Sequence, residues 1–419
     1  MRMMLRLVAT GLTVIGPEWA QHQPGREPPG GGPWNNDVLV YRVSPNGEVI
    51  QIATFERAGV PTIARMKDGL LVAAHQHFPD NNDADFDKVA VRFSPDDGRN
   101  WTAPQVIRLD VLPEGMRFPF DPTLVPLPDG RVRLYFTGNT GGTLQRSTPA
   151  IHSAVSTDGV NYTYEPGVRF AVAGRTVIDC AVVLHNGVFH LYAPDNGAQM
   201  QPGRPPRNQA AIDRPREGVG YHATSKDGLN FTRVEDVYIE GRRWLGNALS
   251  NGKSITFFGT GPGGVWMGVS NDGREFRLVQ KPPIPVADPG AVALREGGWI
   301  VVGTGPPVRG RPGAMGRPAF GEPPPGPPGQ PRGGRPFAGS FPPGRPLGPG
   351  GDGPWNHRVL LATSKDGLSW SVSEQVLAER ASVPELFAGP DGSPVVLFVD
   401  VSGESHPGAL GAIDRKRVV

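Results

Sequence analysis

The chain has 419 residues, enough for a large core, and its charge is nearly balanced, with 42 Lys and Arg against 40 Asp and Glu. That balance gives no concentrated basic face of the kind a nucleic-acid surface requires. A single cysteine, Cys180, rules out an internal disulfide and a cysteine-based metal cluster.

Residues 1–21 read as a bacterial secretory signal peptide. Arg2 and Arg6 form a basic start, Leu7–Gly16 an apolar run, and Ala20 a small residue for cleavage. Export places the mature protein outside the cell or in the periplasm. Residues 22–36 are rich in Gly and Pro and read as a linker, and the single folded domain is expected over 37–419. No other apolar run reaches the roughly 20 residues of a membrane span.

Two repeats then run along the chain. The first is Ser-x-Asp-(x)-Gly-x-x-aromatic. It occurs as Ser94–Trp101, Ser156–Tyr162, Ser225–Phe231, Ser270–Phe276 and Ser364–Trp370, with a decayed form at Ser44–Gly47. Its chemistry is that of a hairpin: Asp accepts from backbone N–H groups, Gly takes positive φ, and the aromatic packs back on the sheet. These aspartates are turn formers, not catalysts.

The second repeat is an apolar strand, a polar-Gly turn and another apolar strand. Its six copies open at Val60-Pro61, Asp121-Pro122, Asp179-Cys180, Gly246-Asn247, Asp288-Pro289 and Val383-Pro384. The repeats alternate, which predicts four-stranded antiparallel units around an axis, a β-propeller. Six blades are expected, with five as the alternative. Strands near Val38–Val43 and Glu48–Ala53 would complete the last blade, so that the termini close the ring and protect the sheet edges. Residues 305–354 are mostly Gly and Pro and cannot bury enough apolar surface to fold, so they read as a disordered insertion in the fifth blade.

The stretch from Ala58 to Ile107, with its embedded proline, Asp68-Gly69 turn and full-length Asp box, resembles the first blade of the sialidase (neuraminidase) superfamily. The shorter boxes and openings such as Phe120-Asp121-Pro122 are similar to arabinanase/β-xylosidase-type propeller glycoside hydrolases. The sialidase resemblance implies an arginine just before the first-blade proline, where this chain has Gly59, with Arg57 nearby. It also implies a late tyrosine nucleophile, yet the last tyrosine is Tyr238. The arabinanase-type resemblance implies carboxylates opening two inner strands, matched by Asp121 and Asp179, and makes Glu385 the candidate acid.

In a propeller the inner strands start at one mouth of the channel, where side chains from all blades converge. The candidate catalytic residues there are Asp121, Asp179, Asp288 and Glu385. Glycoside hydrolysis needs a proton donor and a base or nucleophile, and crowded carboxylates push their pKa values apart. The candidate substrate-binding residues are Arg117, Arg175, Arg242, Trp244, Asn247, Arg380, His75 and His77. The arginines could clamp an anionic group on a sugar, and Trp244 could stack on a sugar face.

His75 and His77 share one side of a strand and read as a hydrogen-bonded structural pair. The other reading has them bind a divalent metal with Asp121 or Asp179, and no other cofactor is expected. Cys180 reads as a packing residue. The expected partner is a carbohydrate. A hydrolase and a non-catalytic binding propeller are separated by the acids. A free carboxyl pair about 5 to 9.5 Å apart favours hydrolysis, and acids each tied to an arginine favour binding or structure.

Overall fold

The computed structural model describes residues 36–43, 48–80, 84–114, 120–138, 149–198, 214–279, 283–295, 297–307, 357–388 and 393–400, with Asn82 and Met116. The expected signal peptide, the linker up to Trp34 and Asn35, the decayed turn at Ser44–Gly47 and the insertion beyond Pro307 lie outside the described residues.

Among the described residues the fold is all strand. The N-terminal pair is β1 (Asp37–Val43) and β2 (Val49–Phe55). The first separate sheet holds β3 (Ala58–Arg65), β4 (Leu71–His77), β5 (Lys88–Ser94) and β6 (Gln105–Val106). The second holds β7 (Arg108–Asp110), β8 (Phe120–Pro126), β9 (Val132–Gly138), β10 (Ala150–Ser156) and β11 (Asn161–Phe170). The third holds β12 (Ala181–His185), β13 (Val188–Pro194), β14 (Val219–Ser225), β15 (Thr232–Arg233) and β16 (Val237–Tyr238). The fourth holds β17 (Gly246–Ser250), β18 (Ile255–Gly261), β19 (Gly264–Ser270) and β20 (Arg277–Leu278).

The remaining strands are β21 (Ala287–Ala293), β22 (Trp299–Pro307), β23 (His357–Ser364), β24 (Ser371–Ala388) and β25 (Pro394–Asp400). With the N-terminal pair they form one seven-stranded sheet, ordered β2-β1-β25-β24-β23-β22-β21. The expectation of six separate sheets is therefore corrected: four are separate blades, and the last two repeats are merged. The cause is β24, whose 18 residues pair first with β23 and then, from Ala381 onward, with β25. No break separates the outer strand of one unit from the inner strand of the next. Strand β22 also runs on through Pro307, so the chain leaves the sheet later than residue 305.

The middle strands are packed on both faces, which is why β4, β9, β13, β18 and β25 are nearly continuous apolar runs rather than alternating ones. Apolar clusters join each sheet to the next. Val72 and Val91 pack with Leu124 and Phe136, Tyr135 with Leu191 and Tyr221, and Tyr192 with Trp244 and Trp266. Phe258 and Met267 meet Val301 and Ala362, while Val38, Phe55 and Leu397 meet Ile63 and Ala73 of the first sheet. This is a propeller arrangement, in which each fully buried Val, Leu or Phe contributes about 1.5–3 kcal/mol.

The Ser-Asp-Gly turns lock neighbouring sheets together. In Ser225–Phe231, Asp227 Oδ1 accepts from Ser225 Oγ and from the N–H groups of Leu229 and Asn230 at 2.7 to 2.8 Å. Equivalent bonds hold Asp96, Asp158, Asp272 and Asp366. Gly273, at φ 76°, lies so close to His190 of the preceding sheet that a Cβ would fall 2.4 Å from the imidazole.

Candidate functional site

The site is built by a backbone device repeated at the start of the inner strands. Val60, Asp121, Asp179, Asp288 and Val383 all have positive φ, between 43° and 57°. Such a conformation is costly for these residue types, most of all for β-branched valine. Pro61, Pro122, Pro289 and Pro384 follow four of them, and the pairing register shifts at each of those four places. A bulge leaves a residue unpaired and re-aims its side chain, and proline has no N–H to leave unsatisfied there. Asp-Pro at these positions thus serves a bulge.

These strand starts line one cavity of about 570 Å³ with residues from β3, β8, β12, β17, β21 and β24. Asp121, Asp179, Asp288, Glu385 and Asn247 all stand on its wall. At Gly290 two of the strands come close: a Cβ there would sit 2.8 Å from Leu386 N and 3.1 Å from Glu385 Cα.

Burial raises the pKa of all four acids. Asp288 is pushed up to about 6, with the Val383 N–H and the field of His357 partly opposing the shift. Glu385 is pushed up to about 8, first by burial and then by the charge of Asp288. Asp179 is raised by burial and by both Asp121 and Asp288, whereas burial alone raises Asp121. The cavity therefore holds carboxyls of unequal acidity, coupled through space.

The other candidates are elsewhere. Arg175 is bound to Asp195, its Nη2 donating to both carboxylate oxygens at 2.6 and 2.8 Å, and Asp195 also accepts from Arg216. Arg242 donates from Nη1 to the Pro262 carbonyl at 3.1 Å. Trp244 is 1% exposed, stacked among Tyr192, Phe257, Trp266 and Phe276, and its Nε1–H donates to Gly218 O at 3.0 Å. It is core and cannot meet a sugar. Arg380 lies outside the cavity wall, its Nε buried without a hydrogen-bond partner. Arg117 falls outside the described residues.

His75 and His77 do not join the acids. His75 is fully buried against Phe55, with ring centroids 5.6 Å apart, and its Nδ1 lies 2.8 Å from Gln76 O. The two imidazoles meet edge to face at 5.9 Å rather than sharing a hydrogen bond. Among the described residues no three His, Cys, Asp or Glu side chains are arranged to hold a metal ion. Asp80, at the end of the same hairpin, is paired with Arg57 at 2.7 Å.

Two features beside the acids escaped the sequence. Cys180 packs against the apolar cluster of Tyr135, Leu191 and Tyr221 as expected, and it also lines the wall beside Asp179. His357, buried at the start of β23, acts on Asp288 through space, and its Nδ1 lies 3.0 Å from Gly305 O. Cys180 follows the bulged aspartate directly and could have been read from the repeat. His357 follows the Pro-rich stretch and carries no sequence signal.

No protein-family model matches the chain, and no curated protein does. Solved structures are similar to it at low identity. One is an N-acetylgalactosamine deacetylase from F. plautii in complex with blood group B trisaccharide, at 14% identity and TM-score 0.42, covering 65% of this chain and 86% of that one. Another is an α-L-arabinofuranosidase from Clostridium thermocellum, at 14% identity and TM-score 0.38, covering 59% and 82%. A family-43 glycoside hydrolase from Xanthomonas citri complexed with xylotriose matches at 14% identity and TM-score 0.39, covering 59% and 82%.

Proposed function

We propose that the protein is an exported propeller glycoside hydrolase that cleaves an extracellular glycan at the channel mouth. The carrying observation is the convergence of Asp121, Asp179, Asp288 and Glu385 on one cavity, with no arginine or lysine on its described wall. None of the four has an ion-pair partner among the described residues, which supports catalysis over a purely structural role. The basic start and apolar run of residues 1–21 support export. The five Ser-Asp-Gly turns support kinship with Asp-box propellers, but the wall offers no arginine clamp of the sialidase kind among the described residues.

Glu385 is the proton donor. With its pKa raised to about 8 it is protonated at neutral pH, as a general acid must be. Asp121, raised by burial alone, is the ionised partner. The charge of Asp288 adds to burial in keeping the donor's pKa high, while Asp179 is raised by burial and by the charges of Asp121 and Asp288. Glu385 gives its proton to the glycosidic oxygen as the bond from that oxygen to the anomeric carbon breaks. Asp121 takes the proton of the water whose oxygen bonds to that carbon.

The test is a screen of glycosides with wild type, Asp121→Asn and Glu385→Gln. Loss of at least about 100-fold in turnover by both variants, with unchanged folding, is the expected result. Equal turnover in all three removes the assignment.

A further inference from the structure

We propose that the channel cavity takes a sugar bearing a protonated amine, an amino sugar or its glycoside, and turns away acidic sugars. This rests on the glycan-handling reading and names its substrate class. Every ionisable oxygen acid on the wall is a carboxyl, and the described wall carries no Lys, Arg or His. Of the arginines expected to supply positive charge, Arg175 holds Asp195, Arg242 holds the Pro262 carbonyl and Arg380 stands off the wall, while Arg117 lies outside the described residues.

A second observation points the same way. Asn247, on the same wall, has its Oδ1 buried without a hydrogen-bond donor. A buried acceptor without a donor is unfavourable, and so is a buried carboxylate without a counter-charge. An ammonium group answers both, since it brings a positive charge and three N–H donors and accepts nothing. A hydroxyl brings a donor without the charge. A uronate, sialate or sulfate adds like charge and more acceptors to a wall already rich in both. His357 influences Asp288 from β23 but stands outside the wall, so it does not supply the missing cation.

The experiment is calorimetric titration of the full chain at pH 7 and low salt. The probes are glucose, galactose and mannose, their 2-amino-2-deoxy counterparts, and glucuronic and galacturonic acids. At least one amino sugar is expected to bind ten times or more tighter than its parent, with the uronic acids weakest. The preference should shrink in 0.5 M salt and in folded Asp121→Asn and Asp288→Asn. Titration in two buffers of different ionisation heat should show proton release, because an added cation drives the neighbouring carboxyls to ionise. Equal binding of amino and parent sugars, tighter binding of a uronic acid, or no binding by any probe overturns the proposal. The hydrolase reading fails separately, when Asp121→Asn and Glu385→Gln keep wild-type turnover while the wild type prefers amino sugars and Asp121→Asn loses that preference.

Discussion

Glu385→Gln should stabilise the protein at alkaline pH far more than at acid pH. The folded-state pKa of Glu385 is raised from 4.5 to about 8, so the folded chain holds this proton more tightly than the unfolded chain. Stability linked to the group is therefore fully present below about pH 4.5 and is lost as pH rises toward 8. The loss is about 1 kcal/mol at pH 5 and about 4 kcal/mol at pH 8, each pKa unit being worth about 1.36 kcal/mol. Glutamine has no proton to lose, so the variant escapes the difference of about 3 kcal/mol. For a domain of this size that is about 5 °C in Tm, measured as the variant-minus-wild-type difference in thermal scans at pH 5 and pH 8. An equal Tm difference at the two pH values would refute the burial and Coulomb argument, because a purely steric effect does not depend on pH.

The acid side should behave oppositely. Burial lowers the pKa of His75 to about 3, so its contribution is present above pH 6.5 and is lost as pH falls toward 3. His75→Leu should remove about 3 kcal/mol of acid sensitivity at pH 4, read as a flatter Tm profile between pH 4 and 6.5, and an unchanged profile would show that His75 is not held neutral. Trp244→Ala should cost about 3–5 kcal/mol through its cavity and the lost bond to Gly218 O, without changing sugar affinity in the protein that remains folded. Weakened sugar binding at unchanged Tm would instead return Trp244 to the ligand.

Much of the fold was legible in the chain. Paired Asn-Gly and Asp-Gly turns, the five Ser-Asp-Gly motifs and apolar runs of five to seven residues are local signals, because hairpins are set by neighbouring φ/ψ choices. Asp121, Asp179 and Asp288 could be chosen because they hold one equivalent position at the start of the inner strands, and Glu385 because it stands two residues beyond that position, held in its own repeat by Val383. What the repeat could not reveal was the merging of the last two units. That depends on whether β24 breaks near Arg380 to Ser382, and no Gly or Asp-Gly turn stands there to break it.

The sequence by itself determined the turns, the strand alternation and the acids at the inner strand starts, since each follows from residues adjacent in the chain. Tertiary structure alone decided the fate of the basic and aromatic candidates. Arg175 lies 20 residues from Asp195 in the chain, and Trp244 is packed against side chains from other strands and from the preceding sheet. A charged or aromatic side chain goes wherever its counter-charge or its apolar neighbours are, and those neighbours are set by how the sheets pack. The same packing gathered the four carboxyls on one cavity wall that carries no Lys or Arg among the described residues.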